Sequence, residues 1–134
     1  MEHQDFREVA SGLRFPEGPV AMADGSVILV EIEGRRLTRV LADGRTQTIA
    51  TLGGGPNGAA IGPDGQIYVC NHGGSAWTED AVDGMKPTGQ PADYVGGLIQ
   101  RVDPVSGAFE TLYTHCGERQ LRGPNDLVFD AAGG

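Results

Sequence analysis

Three segments of this chain begin alike: Phe15-Pro16-Glu17-Gly18-Pro19-Val20, Gly55-Pro56-Asn57-Gly58-Ala59 and Gly123-Pro124-Asn125-Asp126-Leu127. Each places an oxygen-bearing side chain directly after proline, and each runs on to an Asp-Gly or Gly-Gly turn. Superposing the first two prolines, an offset of 40, lays Asp24-Gly25 on Asp64-Gly65 and residues 27–30 on residues 67–70. A period of that length demands a repeat architecture, in which one unit cannot bury its apolar face alone. The third segment follows the second by 68 residues, while Arg39-Val40 and Arg101-Val102 stand 62 apart. About 22 extra residues therefore fall between Cys70 and Leu98.

The repeat unit is a four-stranded one. Residues 20–22 and 27–32 form a hairpin across Asp24-Gly25, and residues 37–41 and 46–50 a second across Asp43-Gly44, because Asp-Gly readily takes the positive φ of tight hairpins. Residues 59–61, 67–71, 98–102 and 109–113 repeat the pattern. No window has apolar residues at i, i+3, i+4 and i+7, which excludes helical repeats of similar length. Twenty-two glycines and eight prolines, strung between short apolar runs, agree with many turns. Four antiparallel strands in about 40 residues make one blade of a β-propeller. The fold class is all-β, with blade 1 over about 15–52, blade 2 over about 55–115 and the start of a third blade over about 123–134. Residues 6–10 read as a further strand that completes another blade. The inserted residues 73–97 have no strand pattern and read as a lid or a disordered loop, with Trp77 and Tyr94 supplying apolar area that a solvated loop does not need.

Several functions are excluded or disfavoured. A net charge of −8 with no basic cluster weighs against nucleic acid and anionic membrane surfaces. No apolar run approaches the length of about 18 residues that spans a bilayer. Segment 1–5 lacks the charged and apolar regions of a secretory signal, and Cys70 and Cys116 match neither a zinc pattern nor a disulfide framework, so a reduced, cytoplasmic setting is expected. There is no Gly-x-Ser-x-Gly elbow, and Gly53-Gly54-Gly55 leads into a strand rather than a helix.

Candidate site residues follow from the repeat. Innermost strands line a propeller's channel, so Glu17, Asn57 and Asn125 should converge on the axis. A carboxylate with amide oxygens suits a hard divalent cation. Asn-Gly and Asn-Asp are also common turn dipeptides, which explains Asn57 and Asn125 by local geometry instead. Asp126, where the other units have glycine, should point away from Asn125. His72 closes the second strand of its unit as a structural residue or a substrate contact. Arg122 is a substrate ligand or a solvated charge.

These motifs resemble the SMP-30/regucalcin/gluconolactonase family, on Phe15-Pro16-Glu17-Gly18-Pro19-Val20, on Pro56-Asn57-Gly58 running through Asp64-Gly65 to Ile67-Tyr68-Val69-Cys70-Asn71-His72-Gly73, and on Gly123-Pro124-Asn125-Asp126-Leu127-Val128-Phe129-Asp130. The resemblance implies a six-bladed propeller whose axial divalent cation, calcium or zinc first and magnesium or manganese next, serves hydrolysis of a small-molecule lactone. It implies Glu17 and Asn125 as metal ligands and Asn125 as a substrate contact as well, with Arg122 near rather than at the family's arginine position; Asn57 and His72 join Asn125 and Arg122 as candidate substrate contacts on the residue reading above. The family's aspartate, ligand and general base, is expected beyond residue 134. On this reading the chain is the N-terminal part of a lactonase and inactive alone. The other classes are a non-catalytic calcium-binding or interaction propeller and an inactive truncated product.

Overall fold

The computed structural model describes residues 6–134. His3 and the polar segment 1–5 lie outside the described residues. Twelve strands run in chain order: β1 Pro16–Ala21, β2 Val27–Glu31, β3 Arg36–Val40, β4 Thr46–Thr51, β5 Pro56–Ile61, β6 Ile67–Asn71, β7 Ala76–Asp80, β8 Gly84–Gly89, β9 Leu98–Val102, β10 Phe109–Tyr113, β11 His115–Cys116 and β12 Arg119–Gln120. There is no helix among the described residues, and so none long and apolar enough to cross a membrane.

Two four-stranded antiparallel sheets carry the architecture, in the orders β1-β2-β3-β4 and β5-β6-β9-β10. They are consecutive blades of a β-propeller. Their second and third strands pack on a shared core of Ile28, Val30, Leu37, Ile67, Val69 and Val102, each at most 4% exposed. The second strands, β2 and β6, lack a clean polar/apolar alternation because nearly every residue in them is covered on both faces. The inner strands begin earlier than the apolar pattern indicates, at Pro16 and Pro56. Proline is tolerated there as the first residue of a strand, where no ladder donor is required.

The repeat extends into the third copy at atomic detail. Met22 N–H donates to Ser26 O at 2.9 Å and Gly25 N–H to Met22 O at 3.0 Å. Gly62 and Gly65 make the same pair of bonds, with Gln66 O and Gly62 O, and Asp130 and Gly133 make it again, with Gly134 O and Asp130 O. Residues 121–130 nevertheless form no strand, because no described neighbour offers them a ladder; Phe129 instead packs edge-on against Tyr68 at 4.9 Å.

Two expectations are corrected. Residues 6–10 are not a strand, again for want of a pairing partner among the described residues, and Phe6 is 97% exposed. The insertion is neither strandless nor a loose loop. It folds as the hairpin β7–β8, in which Trp77 pairs with Pro87 and Thr78 with Lys86, while Asp80 Oδ1 accepts from the N–H groups of Val82 and Asp83 and closes the turn. It escaped detection because β7 and β8 are largely exposed and need no alternation. The small hairpin β11–β12 was likewise unforeseen, two residues per strand being too few to show a period.

Each blade also contains a buried polar hub. Glu31, 1% exposed, receives the Arg36 guanidinium on both oxygens at 2.8 Å, the Thr38 hydroxyl at 2.5 Å and Arg14 N–H at 2.7 Å. Burial pushes its carboxyl up, but those donors together outweigh burial and hold it below the usual glutamate value. In the second blade Asn71, at the offset of 40, takes this place. Its Oδ1 accepts from Gly55 N–H at 2.8 Å and Gly73 N–H at 3.0 Å, and its Nδ2 donates to Gly53 O and Gln100 Oε1, each at 3.0 Å. Thr38 and Gln100 occupy equivalent positions in β3 and β9. Each hub ties the second and third strands to the loop that leads into the inner strand.

Candidate functional site

The inner strands bulge where the candidate residues stand. In the second blade Pro56 pairs with Asn71 and Gly58 with Cys70, so Asn57 is the extra residue of a β-bulge. In the first, the register shifts between Glu17 and Val20. A bulge re-aims a side chain out of the regular alternation, which is why such features gather beside functional sites.

Close approach of backbones sets the inner strands side by side. A Cβ on Gly18 would lie 2.9 Å from Gly58 Cα and from Ala59 N. A Cβ on Gly58 would lie 2.6 Å from Asn125 O and 2.7 Å from Asp126 Cα. The residues that follow Glu17, Asn57 and Asn125 thus succeed one another from copy to copy, as equivalent positions around a propeller axis must. Asp126 lies against Gly58, and its Oδ1 accepts from Leu127 N–H at 2.9 Å.

A cavity of about 580 Å³ opens at this rim, lined by Asn57, His72, Arg122 and Asn125 from the repeat units. Four of the five candidate residues come together there. Glu17 does not line it: the residue is exposed on β1, one strand further along, with no side-chain hydrogen bond among the described residues. Ser75, Pro87, Gln90 and Tyr94 of the insertion form the opposite wall. Of these, only Tyr94 had a signal in the sequence, its apolar area in an otherwise polar stretch.

His72 is half-buried. Its backbone N–H donates to Gly55 O at 2.9 Å, and its ring Nδ1 accepts from Gly74 N–H at 3.1 Å. Burial pushes the imidazole pKa down, so the ring is neutral at pH 7 and its proton resides on Nε2. Gly55 has no Cβ because one would stand 2.5 Å from the His72 ring. Tyr94 donates its hydroxyl to Arg122 O at 2.5 Å, tying the insertion to the third copy. On the other side the insertion docks on the first blade: Trp77 packs at 4.9 Å on Phe15, Glu79 accepts from Arg14 at 3.0 Å, and Asp93 from Arg35 at 3.0 Å. No group of three or more His, Cys, Asp or Glu side chains that could hold a metal occurs among the described residues.

Two antiparallel blades with inner strands around a cavity define a β-propeller that carries a polar site on its axial rim. The SMP-30/Gluconolactonase/LRE-like region family matches residues 15–134, and the chain belongs to that family. Among solved structures, a gluconolactonase from Xanthomonas campestris described as important in glucose secondary metabolic pathways is similar, with 21% identity and a TM-score of 0.67 over 93% of this chain and 35% of that one. A structural-genomics target described as a candidate gluconolactonase has 22% identity and a TM-score of 0.66, over 95% of this chain and 37% of that one. The chain thus spans about a third of the length of these structures. No curated protein matches it.

Proposed function

We propose that these residues form part of a metal-dependent lactonase of the gluconolactonase type, which opens a sugar or related lactone to the hydroxy acid. The observation that supports this most is the convergence of Asn57, His72, Arg122 and Asn125 on one cavity, in a chain of a family named for gluconolactonase. The donor chemistry fits a hard divalent cation: Glu17 and Asn125 would hold it through oxygen, and neither side chain is engaged in a hydrogen bond among the described residues. Calcium or zinc suits the set best, and magnesium or manganese next. Such a cation, when bound, supplies Lewis acidity at the lactone carbonyl and at a water.

The chain's own residues then have separable tasks. His72, with its proton on Nε2, donates to a substrate oxygen, and the Gly74 N–H on Nδ1 keeps the tautomer and ring orientation fixed. Asn57 and Asn125 bind hydroxyl or carbonyl groups through their carboxamides. Arg122 holds an oxygen anion or hydroxyl at the mouth. The insertion wall limits access of bulk water. The cavity lining contains no carboxylate, and Asp126 is turned onto Gly58, so the base that takes the proton from water must come from outside this lining. That same lack favours the second reading, a non-catalytic calcium-binding or interaction propeller.

Calorimetric titration of the intact protein with calcium and zinc, alongside a panel of γ- and δ-lactones, tests both. Cation binding that weakens roughly tenfold or more in Glu17→Gln, with lactone turnover falling in parallel, is the expected result, since a neutral amide replaces the carboxylate ligand. Unchanged cation affinity in that variant would remove Glu17 from the site. Tight binding with no turnover of any lactone would leave the non-catalytic reading.

A further inference from the structure

Most basic side chains in this acidic chain are committed to ion pairs. Arg14, Arg35, Arg36, Arg39, Arg45, Lys86 and Arg101 each make an ion pair. Arg7, Arg119 and Arg122 make none among the described residues, and the last two line one cavity of about 740 Å³ together with His115, Glu118 and Gln120. Arg122 belongs to this cavity and also to the lining that holds Asn57, His72 and Asn125. It is the point where the two spaces meet.

The backbone that presents the two arginines is tied down on several sides. Leu121 N–H donates to Thr114 O at 2.8 Å, Gly97 N–H to Leu121 O at 2.7 Å, Gln120 Nε2 to Val95 O at 2.6 Å, and the Tyr94 hydroxyl to Arg122 O. Two guanidinium groups with no ion-pair partner among the described residues, held on a fixed segment, cost little to order around an anion. They also matter more here than in a neutral protein. A net charge of −8 repels anionic ligands at long range, so an anion is retained only where local donors outweigh the general field. The planar fork of arginine suits carboxylate and phosphate oxygens alike.

We propose that Arg119 and Arg122 form an anion subsite next to the central cavity, and that the molecule taken by the site is a lactone carrying an anionic substituent, carboxylate or phosphate, remote from the ring carbonyl. The inference rests on the lactonase reading for the word lactone, but not for the anion. Asn57, Asn125 and His72 meet the ring, Arg122 spans the junction, and Arg119 receives the remote charge. Glu118 faces the same space and opposes it. The carboxylate released by ring opening forms at the other cavity, so the proposal requires a second acidic group.

The test is calorimetric binding of gluconate, glucarate and 6-phosphogluconate to the intact protein, with hydrolysis of an uncharged lactone measured in parallel. Expected are tighter binding of glucarate or 6-phosphogluconate than of gluconate, a roughly tenfold loss of that affinity in Arg119→Gln, as for removal of one charged hydrogen bond, and a gain in Glu118→Gln. Whichever of the two probes carries the difference identifies the substituent as carboxylate or phosphate. Uncharged lactone turnover should be the same in Arg119→Gln as in the parent, which also reports that the variant folds. Equal binding of all three acids, or an Arg119→Gln protein that binds glucarate and 6-phosphogluconate as the parent does, would overturn the subsite. Arg119-dependent anion binding without hydrolysis of any lactone would instead uphold the subsite and overturn the lactonase reading.

Discussion

Gly58 is the residue on which the rim depends most directly. Its missing side chain lets the third copy pass within van der Waals distance, and a Cβ would strike not only the Asp126 carboxylate, which can turn aside, but also the backbone at Asn125 O and Asp126 Cα, which cannot. Gly58→Ala is expected to destabilise the protein by about 1–3 kcal/mol, the range for forced overpacking. It should also push Asn125 out of line with Asn57. Denaturant unfolding would show a lower midpoint, and calorimetry a weaker cation or ligand interaction. An unchanged midpoint would show that residues 123–127 do not rest on β5. The hubs at Glu31 and Asn71 act at the same scale. Each orphaned buried amide costs about 1–3 kcal/mol, so the four bonds of Asn71 explain why a polar residue closes a strand as apolar as β6.

At the scale of elements, the hairpin β7–β8 is the part of the molecule that joins everything else. It leaves the second blade, docks on the first through Trp77 and Glu79, and its following segment holds the third through Tyr94. The exposed ion pairs contribute little, being screened by solvent. The Trp77 contact with Phe15 adds about 0.5–1.5 kcal/mol beyond the area it buries. Phe15 has φ of 58°, in the left-handed region. A bulky side chain is strained there, and Trp77 covers it just two residues before Glu17. Trp77→Ala is therefore expected to free the hairpin without unfolding the blades. Limited proteolysis should cut the variant within residues 76–90 well before the parent, at a nearly unchanged unfolding midpoint. Equal resistance of both proteins would mean that the hairpin is held by its own ladder and does not need the first blade.

The whole molecule is a row of blades in which each unit completes its neighbour's core, and its two cysteines report on that arrangement. Cys70, on β6, is 2% exposed, and its thiol is pushed up to about 11, first by burial and then by the Asp126 carboxylate of the next copy. Cys116 is exposed, and no disulfide joins the two. A thiol reagent at pH 8 is expected to modify one cysteine in the native protein and two in denaturant, because only the thiolate reacts and Cys70 is both protonated and covered. Modification of both at the same native rate would show that the second blade is open at its inner edge.

The amino-acid sequence by itself determined the repeat, the all-β class and most strand positions, because the 40-residue offset, the Asp-Gly turns and the short apolar runs are local signals that survive without any partner. It also pointed to Glu17, Asn57 and Asn125 as equivalent positions that a propeller must bring to one axis, and to His72 and Arg122 only by their places beside that motif. What it did not contain was the insertion hairpin, whose exposed strands carry no period, or the fate of residues 6–10 and 121–130, where a strand depends on a neighbour to pair with. The buried hubs also lay in plain view as Glu31 and Asn71 at the same offset, but a polar residue ending an apolar strand reads as a turn until its hydrogen-bond partners are known. Only the tertiary structure decided that Asn57 bulges into the cavity while Glu17 stands outside its lining, and that Arg119 and Arg122 share a space free of ion pairs. Pairing, bulging and charge neutralisation all join residues distant along the chain, and three-dimensional packing alone selects among them.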